Sequence, residues 1–260
     1  MATTFYVDRG SPVHGLNPVT KLVAVLVLVV VAFAMTATWW LPGVLLVTFV
    51  VPAALVARCG GRLASVAVKV LAPLLVALVV VQGLFFPEGT TVLAELGPAR
   101  VTVEGLMFAL GIALRVVLLV AAFLLLLLTT HPGTLMGALT QAGMPPKISY
   151  VISSTLQVVP AFRDRADAIL LAQRARGLRT DGSVLRRATV LLPLVTPLVL
   201  GMFTDVEERS TAMEARAFGA TRARTSLTVV PDSTAQRVAR WTLAVLAVAA
   251  VAYSFLGGQP

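Results

Sequence analysis

The sequence predicts an all-α polytopic helical membrane protein, with about five transmembrane helices and a cytoplasmic region of long amphipathic helices. Three observations predict it. Residues 22–57, 70–87, 188–204 and 241–260 contain no charged side chain, and uncharged apolar windows of about 18 residues or more read as membrane spans. Hydrophobic residues make up 58% of the chain and charged ones only 13%, where soluble domains average about 25% charged; the mean hydropathy is +0.91. The charge that exists is concentrated, since residues 131–240 hold 14 of the 21 Lys and Arg and eight of the 12 Asp and Glu.

The elements follow in order. One helix over Leu22–Ala57 would be about 54 Å long, too long for an apolar core of about 30 Å. Trp39-Trp40-Leu41-Pro42-Gly43 interrupts it, and paired Trp at a break marks a membrane–water interface. A helical hairpin over about 20–38 and 41–57 is expected, with Asn17 placed to cap its first helix ahead of Pro18. The third span is expected at about 67–86, the fourth at about 105–129 and the last at about 238–257. Residues 87–104 between the third and fourth read as a net acidic loop with Glu88, Glu95 and Glu104. Arg9, Lys21, Arg58, Arg62 and Lys69 then put the N-terminus and the second connector in the cytoplasm, with the acidic loop outside. Met1–Leu16 lacks an apolar stretch and does not read as a cleaved signal peptide.

The sequence reads as a membrane domain over 1–130, a cytoplasmic insert over 131–237 and the last span over 238–260. Within the insert, Ile148, Ile152, Leu156, Val159, Phe162, Ala166 and Ile169 recur at helical spacing and form one face of a long helix over about 147–176. Gly177 fits the position after its end. A second long helix starts after Ser183, a candidate cap, and runs to about 217 through Pro193 and Pro197. Its apolar half, 188–204, gives about 25 Å, barely a span, and a helix lying along or under the membrane is preferred. The two helices end in matching triplets, Ala175-Arg176-Gly177 and Ala215-Arg216-Ala217. An Arg in a last helical turn is commonly an answer to the helix dipole. Two such endings on two long cytoplasmic helices point further, because small neighbours admit another backbone and Arg forks onto a carboxylate.

Other chemistries find little support. The only cysteine is Cys59, so no internal disulfide forms. His14 and His131 are far apart in sequence with no nearby His, Cys or acidic ligand set, which argues against a metal site or a His-based catalytic set. The three lysines, Lys21, Lys69 and Lys147, do not sit in a phosphate-binding loop. No catalytic residue and no bound cofactor are expected in this chain. The net charge of +9 is assigned to topology and not to nucleic acid. Arg115, about 16 Å into the fourth span from Glu104, is a candidate intramembrane structural or functional charge. Asp205, Glu207, Glu208 and Glu214 with Arg209 and Arg216 read as pairs along one helix surface. Gly133-x-x-x-Gly137 lies outside any apolar twenty-residue span and carries no weight as a dimerisation motif.

Over nearly its whole length the chain resembles the transmembrane T component of energy-coupling factor (ECF) transporters, including the cobalt-type relatives. The carriers are Ser11-Pro12-Val13-His14-Gly15-Leu16-Asn17-Pro18-Val19-Thr20-Lys21, Arg115 followed by Thr129-Thr130-His131-Pro132, and the two triplets. Met213-Glu214-Ala215-Arg216-Ala217-Phe218-Gly219 is the more typical surround. The resemblance implies a scaffold of a vitamin or transition-metal-ion importer in the cell membrane. Its partners would be two ATP-binding cassette ATPases, which bind the ATP and Mg, and a membrane-embedded substrate-binding S component. Arg176 and Arg216 would each enter one ATPase; Ala175, Gly177, Ala215 and Ala217 would permit close approach, and Glu214 would belong to the same contact. Ala217 departs from the Gly of the first triplet, and the second helix is expected to run further, as far as Gly219. Two readings compete. A conventional ATP-binding cassette importer permease has a Glu-Ala-Ala loop that Glu214-Ala215-Arg216 resembles, though Gly219 falls one position short of that pattern. An autonomous secondary transporter would need acids within its spans, and the expected spans have none.

Overall fold

The computed structural model describes residues 10–35, 38–84, 91–96, 99–177, 184–218 and 230–256. In chain order these form α1 (Pro12–Gly15), α2 (Pro18–Ala34), α3 (Leu41–Leu45), a π-helical turn (Leu46–Val50), α4 (Val51–Val56), α5 (Gly60–Leu84), β1 (Val92–Leu96), β2 (Ala99–Thr102), α6 (Val103–Thr129), α7 (Pro132–Gln141), α8 (Pro146–Ala175), α9 (Val184–Ala215) and α10 (Thr234–Leu256). The architecture is all-α, with one small antiparallel hairpin. The chain divides into two compact units, one made of Thr3–Ala138 with Val230–Pro260 and one built on Leu139–Val229.

In the first unit α6 is the central helix. It packs on α5, α2 and α3, while α2 also packs on α10. Small residues make this packing close. Gly105, Ala109, Gly111, Ala121 and Ala122 of α6 are buried, and a Cβ on Gly111 would lie 3.1 Å from the Trp39 Cβ. Membrane helices associate through such seams, because lipid supplies no hydrophobic drive between them. Leu118, Ala32 and Ala57 are fully enclosed in the core, and Val47, Leu55, Val248 and Phe255 point outward as lipid-facing side chains do. Among the described residues Gly60–Gly83, Val103–Thr129 and Thr234–Leu256 are long and apolar enough to cross a membrane; Pro18–Ala34 and Leu41–Val56 are shorter apolar helices.

Local chemistry explains the boundaries. Asn17 caps α2, its side chain accepting from the Val19 N–H at 2.9 Å, and Pro18 is the first helical residue. The helix stops at Ala34, short of the expected end. The 41–56 helix passes through a π turn in which the Val51 N–H donates to the Leu46 carbonyl. Pro52 follows at once, and a proline without an N–H loosens the turn before it. α4 ends with Arg58 at φ +55° and the Cys59 N–H on the Ala54 carbonyl. α5 then starts at Gly60, earlier than the apolar pattern alone indicates. The segment read as an acidic loop contains β1 and β2, paired through Val92 with Thr102 and Ala94 with Val101. Thr102 ends the hairpin and caps α6, accepting from the Gly105 N–H; Glu104 accepts from the backbone and hydroxyl of Thr91.

The second unit is a helical pair. α8 and α9 run antiparallel where they touch, since Arg165 meets Asp205 while Ser154 meets Arg209. α9 is one continuous helix through both its apolar and its charged halves. The expected cap at Ser183 lies outside the described residues. Within this pair α8 offers Tyr150, Ser154, Gln157 and Arg165 to a groove of about 690 Å³ shared with α9. Most of its apolar stripe stays uncovered: Ile148, Ile152, Leu156 and Val159 are all exposed.

Candidate functional site

The two triplets are built alike. α8 ends at Ala175, and the Arg176 N–H still donates to the Ala172 and Gln173 carbonyls. Gly177 then takes φ +89°, and its N–H closes onto the Arg174 carbonyl at 3.0 Å. α9 ends at Ala215, and the Arg216 N–H donates to the Ala212 carbonyl. Ala217 takes φ +53°, its N–H bonds the Glu214 carbonyl at 2.9 Å, and the Phe218 N–H bonds the Met213 carbonyl at 2.9 Å. That is a Schellman stop, with Ala where Gly is usual. The expectation that α9 continues toward Gly219 is therefore overturned. The left-handed turn comes at Ala217 itself, because Phe218 is held back against Tyr150, with ring centroids 5.1 Å apart. Gly219 lies outside the described residues. Ala175, Arg176, Gly177, Glu214, Ala215, Arg216 and Ala217 are all exposed.

The acids and arginines of α9 are arranged differently from the surface pairs expected along one helix. Asp205 reaches across to α8, where Arg165 grips it with both arms of its guanidinium: Nη1 to Oδ2 at 2.6 Å and Nη2 to Oδ1 at 3.2 Å. Arg209 donates to the Ser154 hydroxyl at 2.8 Å. Hydrogen bonding from Arg165 holds the Asp205 carboxyl below its ordinary 3.8. The sequence reading missed this cross-helix pair because four-residue spacing on one helix offered a nearer partner for each charge.

Arg115 has an identified partner. Its Nε donates to the Ala32 carbonyl at 3.1 Å, and Nη2 lies 3.5 Å from the Met35 carbonyl. Ser254 of α10 donates to the neighbouring Ala34 carbonyl at 2.7 Å. The Ala32 and Ala34 carbonyls belong to the last turn of α2, where helix geometry leaves carbonyls without internal partners; the Met35 carbonyl just beyond it also accepts from the Thr38 N–H. The counterpart lies at the other end. Lys21 of α2, though largely buried, donates through Nζ to the Thr129 carbonyl that ends α6 at 2.9 Å and to the His14 carbonyl at 3.3 Å. Each helix thus carries a cation that closes the other's C-terminal end, where the dipole is negative.

The N-terminal motif is explained by the same contacts. The Ser11 hydroxyl and His14 Nδ1 are 2.7 Å apart. The Asn17 N–H donates to Gln236 Oε1, and its side-chain amide donates to the Pro231 carbonyl. The segment ties the starts of α2 and α10 to the end of α6. His131 caps α7, Nδ1 accepting from the Gly133 N–H at 3.1 Å. Among the described residues no group of three His, Cys, Asp or Glu side chains converges as a metal site would.

Comparison with known proteins gives one consistent answer. Residues 9–227 match the family model CbiQ, described as cobalt transport protein. The chain is 33% identical over 233 residues to the energy-coupling factor transporter transmembrane protein EcfT of Brevibacillus brevis, covering 85% of this chain and 86% of that one. It is 32% identical to EcfT of Thermanaerovibrio acidaminovorans, covering 84% and 85%. It is 29% identical to EcfT 1 of Listeria monocytogenes, covering 86% and 87%. The family match takes in α1 to α9 and the residues of both triplets, and ends before α10. The chain belongs to the CbiQ family of cobalt transport proteins, as a transmembrane T component of an energy-coupling factor transporter.

Proposed function

We propose that this chain is the coupling scaffold of an ECF importer. It carries the motion of two ATP-binding cassette ATPases to a membrane-embedded S component, which selects the cargo. The observation that carries the reading is the pair of similar helix stops. α8 and α9 each end in an exposed Arg followed by a left-handed small residue. A left-handed stop turns the chain away from the helix axis, so the Arg remains at the tip. Small neighbours then let a groove close around a guanidinium that forks onto carboxylate or carbonyl oxygens. Arg176 serves one ATPase and Arg216 the other, with Ala175, Gly177, Glu214, Ala215 and Ala217 as the rims of the two contacts. ATP and Mg belong to the ATPases, and this chain supplies neither catalytic residue nor cofactor site.

The remaining assignments follow from charge and exposure. Residues 131–237 and the N-terminus face the cytoplasm of a cell whose inner membrane holds the spans, in keeping with the positive-inside rule. The apolar half of α9 lies along the membrane face. The uncovered stripe of α8 supplies apolar surface for the membrane subunit or for lipid. The cargo is a vitamin or a transition-metal ion, and the family description favours cobalt.

The test is co-purification with the ATPases. Arg176→Glu or Arg216→Glu alone should weaken recovery of the ATPases, and both together should nearly abolish recovery and uptake. Intact co-purification and uptake in the double variant would sink the reading.

A further inference from the structure

The Arg165–Asp205 ion pair has a positional regularity that neither triplet shows alone. Arg165 stands eleven residues before Arg176, and Asp205 stands eleven residues before Arg216. Eleven residues are about three helical turns, so each motif arginine lies about 16 Å along its helix from the ion pair and on nearly the same helical face. α8 and α9 are antiparallel across this contact. The two arms therefore leave the ion pair in opposite directions and with equal length.

In an antiparallel helix pair, residues equivalent by this offset exchange places about a local twofold axis. A residue that meets its own equivalent sits on the axis, and Arg165 meets Asp205 in that way. The positions four residues earlier are also equivalent and are both small: Ala161 on α8 and Gly201 on α9. Gly201 lies under the Arg165 guanidinium, where a Cβ would stand 3.1 Å from Nη1. Ala161 lines the same groove as Asp205. The side chains of the ion pair are 41% and 50% exposed, and exposed pairs add little to stability. A two-armed guanidinium grip does set orientation and register.

We propose that the Arg165–Asp205 pair is a positioning device that centres α8 on α9, so that Arg176 and Arg216 are presented at equal reach to a partner which is itself a twofold pair of like subunits. Resting on the docking role given to the two arginines, this assigns to Arg165, Asp205 and Gly201 the task of holding their separation. Slippage of one helix by a single turn would change the separation of Arg176 and Arg216 by about 5.4 Å, and both docking points would no longer be met together.

The experiment uses the full-length chain in lipid nanodiscs, with Cys59→Ala as background. Spin labels are placed at Leu171→Cys and Thr211→Cys, both exposed and one on each arm. Their distance distribution is read without ATPases, and ATP-driven uptake is read in the assembled transporter. Arg165→Asp and Asp205→Arg should each shift or broaden the distribution and lower uptake about fivefold, the size of an ordinary coupling between contacting residues. The double exchange should restore both, and Gly201→Val, which crowds the guanidinium, should act like the single reversals. A distribution unchanged by either reversal, or not recovered by the double exchange, overturns the proposal. The docking reading is judged separately by Arg176→Glu and Arg216→Glu, which leave the label distance unchanged whether or not the ATPases dissociate.

Discussion

Ala217 is the one motif residue whose backbone works against its side chain. Its φ of +53° brings Cβ toward the following carbonyl, at a cost of about 1–2 kcal/mol for an L-residue. The turn persists because the Phe218 ring packs tilted against Tyr150 and the Phe218 N–H reaches the Met213 carbonyl. Ala217→Gly should relieve that strain. Hydrogen exchange at the Phe218 amide should slow about fivefold, for a gain of about 1 kcal/mol, with ATPase docking retained. A faster exchange would mean that the turn depends on the methyl group. The same residue shows where sequence reading stops. Gly177 announces a helix end because Gly favours positive φ. Ala announces none, so the stop at Ala215 was hidden behind a helix-forming residue and decided by an aromatic contact between distant positions.

Helices 8 and 9 were legible as elements, and less so as partners. The three- and four-residue spacing of Ile148 through Ile169 correctly marks one face of α8, yet α9 packs beside Tyr150, Ser154 and Arg165 on another side. Periodicity reports which face is apolar, and it does not say which molecule covers it. In a subunit of a transporter complex that cover need not belong to the same chain. The Arg165–Asp205 contact also gives the pair a pH response of known sign. The carboxyl is held below its ordinary 3.8 by the guanidinium. Its contribution to helix pairing is therefore complete above that value and is lost as pH falls through the depressed one. Label distances between α8 and α9 should be constant from about pH 8 to pH 5 and broaden only below about pH 4. Broadening near pH 6 would point to a histidine, and neither His14 nor His131 lies on these helices.

For the molecule as a whole, the fold class was written in the uncharged windows. The hairpin of β1 and β2 was masked by a run rich in acids and turn formers. Arg115 was visible as an anomaly, though its partners were not, because they are backbone carbonyls that every residue owns. Those contacts also set an order in which the protein can be completed. α2 leaves the ribosome long before α6 and α10, and until Arg115 and Ser254 arrive the Ala32 and Ala34 carbonyls lack the partners they have in the finished fold. The end of α2 is thus completed only by residues that are made later. A chain cut after residue 100 should be extracted and degraded, and full-length Arg115→Leu should share that short half-life in pulse-chase labelling, with Arg115→Lys partly restored. Equal half-lives for Arg115→Leu and the unaltered chain would show that α2 settles alone. A short half-life for Arg115→Leu would instead make maturation a single late event, at which α2 and α6 are accepted together.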